Sequence, residues 1–210
     1  MAGCEKGAKG CIVPVDLTRD GIAVLCANGG FSSSDGVFHA AADSDFIELR
    51  RLFPKLVTVG QAIELAKSCA LQLGVLLKNP HACPQIKIAL SHAEYLDSAH
   101  FIGLDMDTAA AAARKNPALH IMGDITGTPD DPAALVRTAQ QNGLFGLRGT
   151  AEQLTPALCE EALRCGLFLA AEAPMEQDVQ DRMLAQGVNF IESEQPGAAQ
   201  PKASAEQPKP

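Results

Sequence analysis

The sequence predicts an α/β protein, a (β/α) barrel rather than a nucleotide-binding sheet. Apolar runs of four to six residues recur along almost the whole chain, and helical segments with legible ends separate them. That rhythm is the signature of parallel strands joined by crossover helices. No Gly-x-Gly-x-x-Gly follows any of the runs, which argues against the doubly wound dinucleotide-binding alternative.

The first element is a hairpin. Residues 11–28, CIVPVDLTRDGIAVLCAN, read as a strand over 11–18, a turn at Asp20-Gly21 and a returning strand. A two-residue turn there sets residue 14 opposite residue 27. Six further strands are predicted over 73–78, 100–105, 119–124, 144–148, 167–172 and 188–192. Between them, Thr58 and Gln61 form a capping box ahead of AIELAKSCA. Asp131-Pro132 opens AALVRTAQQ, which stops at Asn142-Gly143, and Thr155-Pro156 opens ALCEEALRC, which stops at Gly166. Pro174 opens MEQDVQDRMLAQ, closed by Gly187, and the alanine run 109–113 reads as a short helix. The hairpin's first strand brings the parallel set to seven, with one return arm.

The bulk properties narrow the function classes. A chain of 210 residues that is 47% hydrophobic can bury a sizeable core. Its net charge of −8, with no basic run, argues against nucleic acid as a partner. MAGCEKGAKG contains no apolar signal region, and no stretch reaches the ~20 apolar residues of a membrane span. The seven cysteines show no Cys-x-x-Cys spacing, so the chain is read as cytoplasmic and reduced. Residues 1–194 form the barrel domain in this reading. Residues 195–210, rich in Pro, Ala, Gln and Lys, form a disordered tail.

Four segments carry a family resemblance. GAKGCIVPVDLTRDGIAVLCAN resembles G-A-D-G-x-E-x-D-V-x-L-T-x-D-G-x-P-V-V-x-H-D of the glycerophosphodiester phosphodiesterases. FPKLVTVGQAIELAK resembles that family's I-P-T-L-x-E-A-L-x-L-A, LGVLLK its I-E-L-K strand, and LAQGVNFIESEQP its closing L-x-x-G-V-D-G-I-I-T-D-x-P. The order and spacing agree over about residues 7 to 196. The resemblance implies a TIM-type barrel whose members hydrolyse glycerophosphodiesters in lipid metabolism. It also implies Ca²⁺ or Mg²⁺ held by the acids of E-x-D and E-L-K, with histidines from H-R-G and H-D as acid and base. A hard cation suits carboxylate oxygens and polarises a phosphoryl group. A histidine titrating near neutrality can protonate the leaving alkoxide.

Matched position by position, this sequence departs from that apparatus. The E-x-D acids fall on Ile12 and Pro14, the H-D pair on Ala27 and Asn28, and the E-L-K acid on Leu76. The lysine of E-L-K remains, as Lys78, a candidate phosphate contact. The H-R-G strand has no counterpart, so the expectation is a barrel lacking its first strand and helix. Its open edges would lie at 11–18 and 188–192, and an edge position makes Pro14 tolerable. No cofactor is expected with these ligands replaced.

Other residues also have the chemistry for a site. Asp105, Asp124, Arg148, Glu172 and Glu192 end successive strands, where barrel enzymes place their sites, and could form a relocated metal or anion site. NPHACP, with His81 and Cys83, reads as a surface loop; with His92 further on, it falls short of a zinc set. His100 and His120, each at the start of a strand, read as structural, and Ser32–Ser34 lack the helix that a phosphate loop needs. The leading reading is a catalytically silent phosphodiesterase-like barrel, a pseudoenzyme that binds or assembles, as a homo-oligomer or with a partner chain at its open edges. Two alternatives stay open: a phosphodiesterase with a rearranged rim site, and a fragment of a longer phosphodiesterase.

Overall fold

A computed structural model of the chain describes residues 8–127, 131–172 and 176–193. The hairpin is β1 (Gly10–Leu17) and β2 (Ala23–Leu25). An inserted segment follows, with a second hairpin of β3 (Gly30–Ser32) and β4 (Phe38–Ala40) and then helix α1 (Phe46–Leu52). The βα alternation then runs through α2 (Val59–Ser68), β5 (Gln72–Leu77), α3 (Cys83–His92), β6 (Ala99–Asp105) and α4 (Met106–Lys115). It continues with β7 (Ile121–Asp124), α5 (Pro132–Gln141), β8 (Gly146–Thr150) and α6 (Pro156–Arg164). β9 (Phe168–Glu172), α7 (Gln177–Ala185) and β10 (Phe190–Ile191) complete it.

One sheet of eight strands carries the order β10-β9-β8-β7-β6-β5-β1-β2. Seven strands run parallel and β2 runs antiparallel, so every predicted strand and the return arm are present. The order is linear: among the described residues β10 does not pair with β1, and the sheet is a curled, open part of a barrel.

The hairpin register differs from the expected one by a single step. Val15 faces Leu25, and the Cys26 N–H donates to the Pro14 carbonyl at 2.9 Å. The turn is the cause. The Thr18 N–H donates to the Ile22 carbonyl, leaving Arg19, Asp20 and Gly21 as a three-residue loop that ends on Gly21 at φ 79°. Such a loop needs a left-handed residue at its last position, and glycine takes that conformation without strain.

The expected edge at 11–18 is corrected by the same pairing. β2 covers Val15–Leu17, and β2 is itself shielded, since the Leu25 N–H donates to the Val57 carbonyl at 2.9 Å and Val24 bridges Thr58. The end strands of the sheet are therefore β2 and β10, and of the expected edge only Gly10–Val13, beyond the reach of β2, stays uncovered among the described residues. Pro14 costs one bond on the β2 side only: its carbonyl accepts from Cys26 there, and its nitrogen, which shares that side, cannot return the second bond of the pair. The missing N–H removes no bond to β5.

The helix starts follow their capping residues. Thr58 Oγ1 accepts from the Gln61 N–H while Gln61 Oε1 accepts from the Thr58 N–H, closing the capping box. Asp131 accepts from the Ala133 and Ala134 N–H groups, and Thr155 from that of Leu158. Pro174 and the stretch 195–210 lie outside the described residues. The NPHACP loop is corrected: Pro80–Ala82 is a single 3₁₀ turn that leads straight into α3, and Cys83 is buried. A proline in the first turn loses no helical hydrogen bond, and Ile86 and Leu90 bury one face four residues apart.

Strand alternation divides the apolar residues into two layers. Val75, Leu77, Phe101, Ile121, Leu147 and Leu169 face the helices, while Leu76, Ile102, Met122, Ala170 and Phe190 pack inside the curled sheet. On β6 the alternation breaks, since Phe101 and Leu104 both lie in the outer cluster. A bulge between them restores it, with Gly103 at φ 91°; a Cβ there would meet the Leu77 carbonyl oxygen at 2.8 Å. A third small core (Val24, Cys26, Ala41, Leu49 and Leu56, with Phe31 and Phe53) holds the inserted segment.

Candidate functional site

The positions that the family resemblance marks for metal and acid–base groups converge in space. Pro14 is the register partner of Leu76 on the next strand, and the Cys26 N–H bond to Pro14 brings Ala27 and Asn28 alongside. Lys78, one step past the end of β5, donates from Nζ to the Ala27 carbonyl at 2.8 Å. The lysine thereby fastens the loop after β2 to the end of β5. Ile12 lies further down β1 against Gly74, and Leu76 packs into the interior beside Ile102, Met122 and Ala170.

Ile12, Pro14, Ala27 and Leu76 offer a cation no side-chain oxygen or nitrogen, and Asn28 offers one neutral amide. Sequence reasoning passed over Asp16, two residues beyond Pro14. Its carboxylate accepts the Leu17 N–H at 2.8 Å and lies against Gly29 and Cys26, whose thiol is pushed up by burial and by that carboxylate. Asp16 falls on the variable position of the family's D-V-x-L, so the resemblance gave no signal for it. One carboxylate and one neutral amide stand where the resemblance calls for three carboxylates, so most of the negative charge that would hold Ca²⁺ or Mg²⁺ there is missing. The residues present do not fit the cation that the fold family implies.

The second candidate cluster forms in large part. Arg148 is the register partner of Asp124 on β7 and of Ala170 on β9, so it projects into the interior above the Met122 and Ala170 layer. Its Nη1 donates to Asp124 Oδ2 at 2.6 Å, and Nε and Nη2 grip the two oxygens of Glu192 at 2.7 and 2.9 Å. Nη2 also stands 3.3 Å from Glu172 Oε1. Burial opposes the charge on Arg148, yet hydrogen bonding to Glu192 and the three carboxylates outweigh it, and the guanidinium is held charged beyond its ordinary range.

Four of the five rim residues therefore meet, but as a ligand set for the arginine. The fork geometry of guanidinium suits paired carboxylates, and all three of its nitrogens are engaged. Asp105 stays apart from them: it caps α4, accepting the Thr108 N–H at 2.9 Å and the Thr108 hydroxyl at 2.7 Å, and those bonds lower its pKa. Among the described residues no group of three or more His, Cys, Asp or Glu is arranged to hold a metal ion.

The other end of the interior is apolar. His120 stacks on Phe145 at 4.3 Å, Phe145 on Phe168 at 4.2 Å, Phe168 on Phe190 at 6.1 Å, and Phe190 on His100 at 4.3 Å. Five rings from five successive strand starts plug the amino-terminal end. Burial pushes the His100 imidazole down to about 4, with a smaller contribution from His120. Both histidines are structural, as their strand-start positions suggested. Ser33 turns back within the β3–β4 hairpin, its hydroxyl bonded to Asp35 and to the Val37 carbonyl, and serves no phosphate loop.

No family model matches the chain, and no curated protein does. Solved structures do. A glycerophosphodiester phosphodiesterase from Thermotoga maritima superposes with a TM-score of 0.76 at 14% identity, over 93% of this chain and 86% of that one. One from Parabacteroides distasonis gives 0.71 at 18% identity, over 92% and 82%. A phosphodiesterase from Oleispira antarctica, solved with the product sn-glycerol-3-phosphate, gives 0.73 at 15% identity, over 92% and 84%. At such identities the likeness is one of architecture: the chain shares the fold of the glycerophosphodiester phosphodiesterases as an open part of their barrel.

Proposed function

We propose that this chain is a catalytically silent, glycerophosphodiester phosphodiesterase-like barrel, a pseudoenzyme retained for binding or assembly. The observation that carries the reading is the convergence of Ile12, Pro14, Ala27 and Leu76 around one mouth, where none of them has a ligand or proton-transfer atom. The ion cluster supports it. Asp124, Glu172 and Glu192 spend their oxygens on Arg148, and Asp105 on Thr108. A rearranged rim site would have to break those bonds before it could accept a cation. Assembly has its natural place at β10 and along Gly10–Val13, the part of β1 that β2 leaves uncovered.

The test is the melting temperature of the full chain with Ca²⁺ or Mg²⁺, with and without glycerol 3-phosphate. A ligand that binds only the folded state at a hundredfold excess over Kd adds about 2.7 kcal/mol. No shift is expected. A cation-dependent rise that Asp124→Asn or Glu172→Gln removes would replace this reading with the relocated site.

A further inference from the structure

We propose that Asn28 is a site of spontaneous deamidation, through which the barrel mouth gains an acid that the sequence does not encode. Of the five asparagines, Asn28 and Asn142 are each followed by glycine. Glycine matters because its backbone is free to turn and carries no side chain to block an approach. The Gly29 nitrogen forms a bond to the side-chain carbonyl carbon of Asn28 and gives up its proton to water. The bond from that carbon to the amide nitrogen breaks, and the nitrogen leaves as ammonia. Water then opens the cyclic imide at either carbonyl, leaving an aspartate or an isoaspartate. The balance is one water consumed and one ammonia released, with no oxidant or reductant.

The fold treats the two Asn-Gly pairs differently. At the end of α5, Asn142 Nδ2 donates to the Thr138 carbonyl at 2.8 Å and Asn142 Oδ1 accepts from Arg114 Nη1. The Gly143 N–H donates to the Gln140 carbonyl at 3.1 Å. Ring closure there has to break all three bonds. Asn28 is exposed, and among the described residues its side chain makes no hydrogen bond. The Gly29 N–H meets the Cys26 sulfur, a weak acceptor that is readily given up. The product lands at the mouth. A Cβ on Gly29 would stand 3.9 Å from Asp16 Oδ2, and position 28 is where the resemblance marks the acid of H-D. Each conversion therefore adds a negative charge near Asp16 to a chain already at −8. The inference stands whether or not the barrel hydrolyses anything.

The experiment is incubation of the full chain in mildly alkaline buffer, followed by mass spectrometry of the tryptic peptides that carry the two asparagines, residues 20–50 and 138–148. Peptide 20–50 should convert to the acid about a hundredfold faster, since each of the three bonds at Asn142-Gly143 is worth about fivefold. In urea, where those bonds are gone, the two peptides should convert at similar rates. Arg114→Ala should speed Asn142 about fivefold and leave Asn28 unchanged. Asn28→Gln, whose longer side chain closes the ring poorly, should stop conversion of peptide 20–50, with the melting temperature confirming that each variant is folded. Equal rates in the folded chain, no conversion at Asn28, or a difference that survives in urea would overturn the proposal.

Discussion

Replacing Arg148 with methionine removes the centre of the ion cluster and nothing else of comparable size. Its side chain is 9% exposed, and those of Asp124 and Glu192 are 17% and 13% exposed. After the substitution two nearly buried carboxylates face each other without a cation. Stranding a buried charge by deleting its partner costs about 3–5 kcal/mol. Glu172, 48% exposed, adds little, because water screens it. For a domain of this length each kcal/mol moves the melting temperature about 2–4 °C, so a drop of about 10 °C is expected. Urea unfolding followed by circular dichroism gives the free energy directly. Neutralising the partners as well, in Arg148→Met with Asp124→Asn and Glu192→Gln, should return most of the loss, since a buried ion cluster and a neutral packing of the same shape differ little. A cost below about 1 kcal/mol for Arg148→Met would refute the reasoning, because that is the scale of an exposed pair.

Acid sensitivity should trace to His100. The folded chain holds its imidazole neutral down to about 4, against an ordinary 6.5, so below 6.5 the unfolded chain binds the extra proton and stability falls as pH falls toward 4. The full loss is about 3 kcal/mol, and His100→Phe, which keeps a ring against Phe190, should flatten that part of the pH–stability curve. Thr58→Ala removes the hydroxyl of the α2 capping box and should cost about 1 kcal/mol by denaturant titration.

The strands were legible because each parallel strand is buried on both faces and so reads as a short apolar run. α3 was not. Its proline in the first turn and the polar residues around His81 look like a loop until Ile86 and Leu90 are seen to share a buried face. The inserted segment hides for a related reason: β3 and β4 have three residues each, too few for any period to show. At the rim the residue types were readable but their pairing was not, since Arg148 and Glu192 meet 44 positions apart. Asp105 is different. Thr108 stands three residues on, a helix-capping spacing visible in the sequence, and reading it would have withdrawn Asp105 from the candidate site. The five-ring plug has no local trace, because each ring opens a different strand.

The central claim is that this barrel keeps a phosphodiesterase backbone without phosphodiesterase chemistry. The most direct measurement is release of glycerol 3-phosphate from glycerophosphocholine by the full chain, with Ca²⁺ or Mg²⁺ present, beside an active enzyme of the same fold. The account expects release no faster than in the protein-free control with either cation. Release that depends on the cation and disappears in Asp16→Asn or Asp124→Asn would contradict it and locate the working site at the same time.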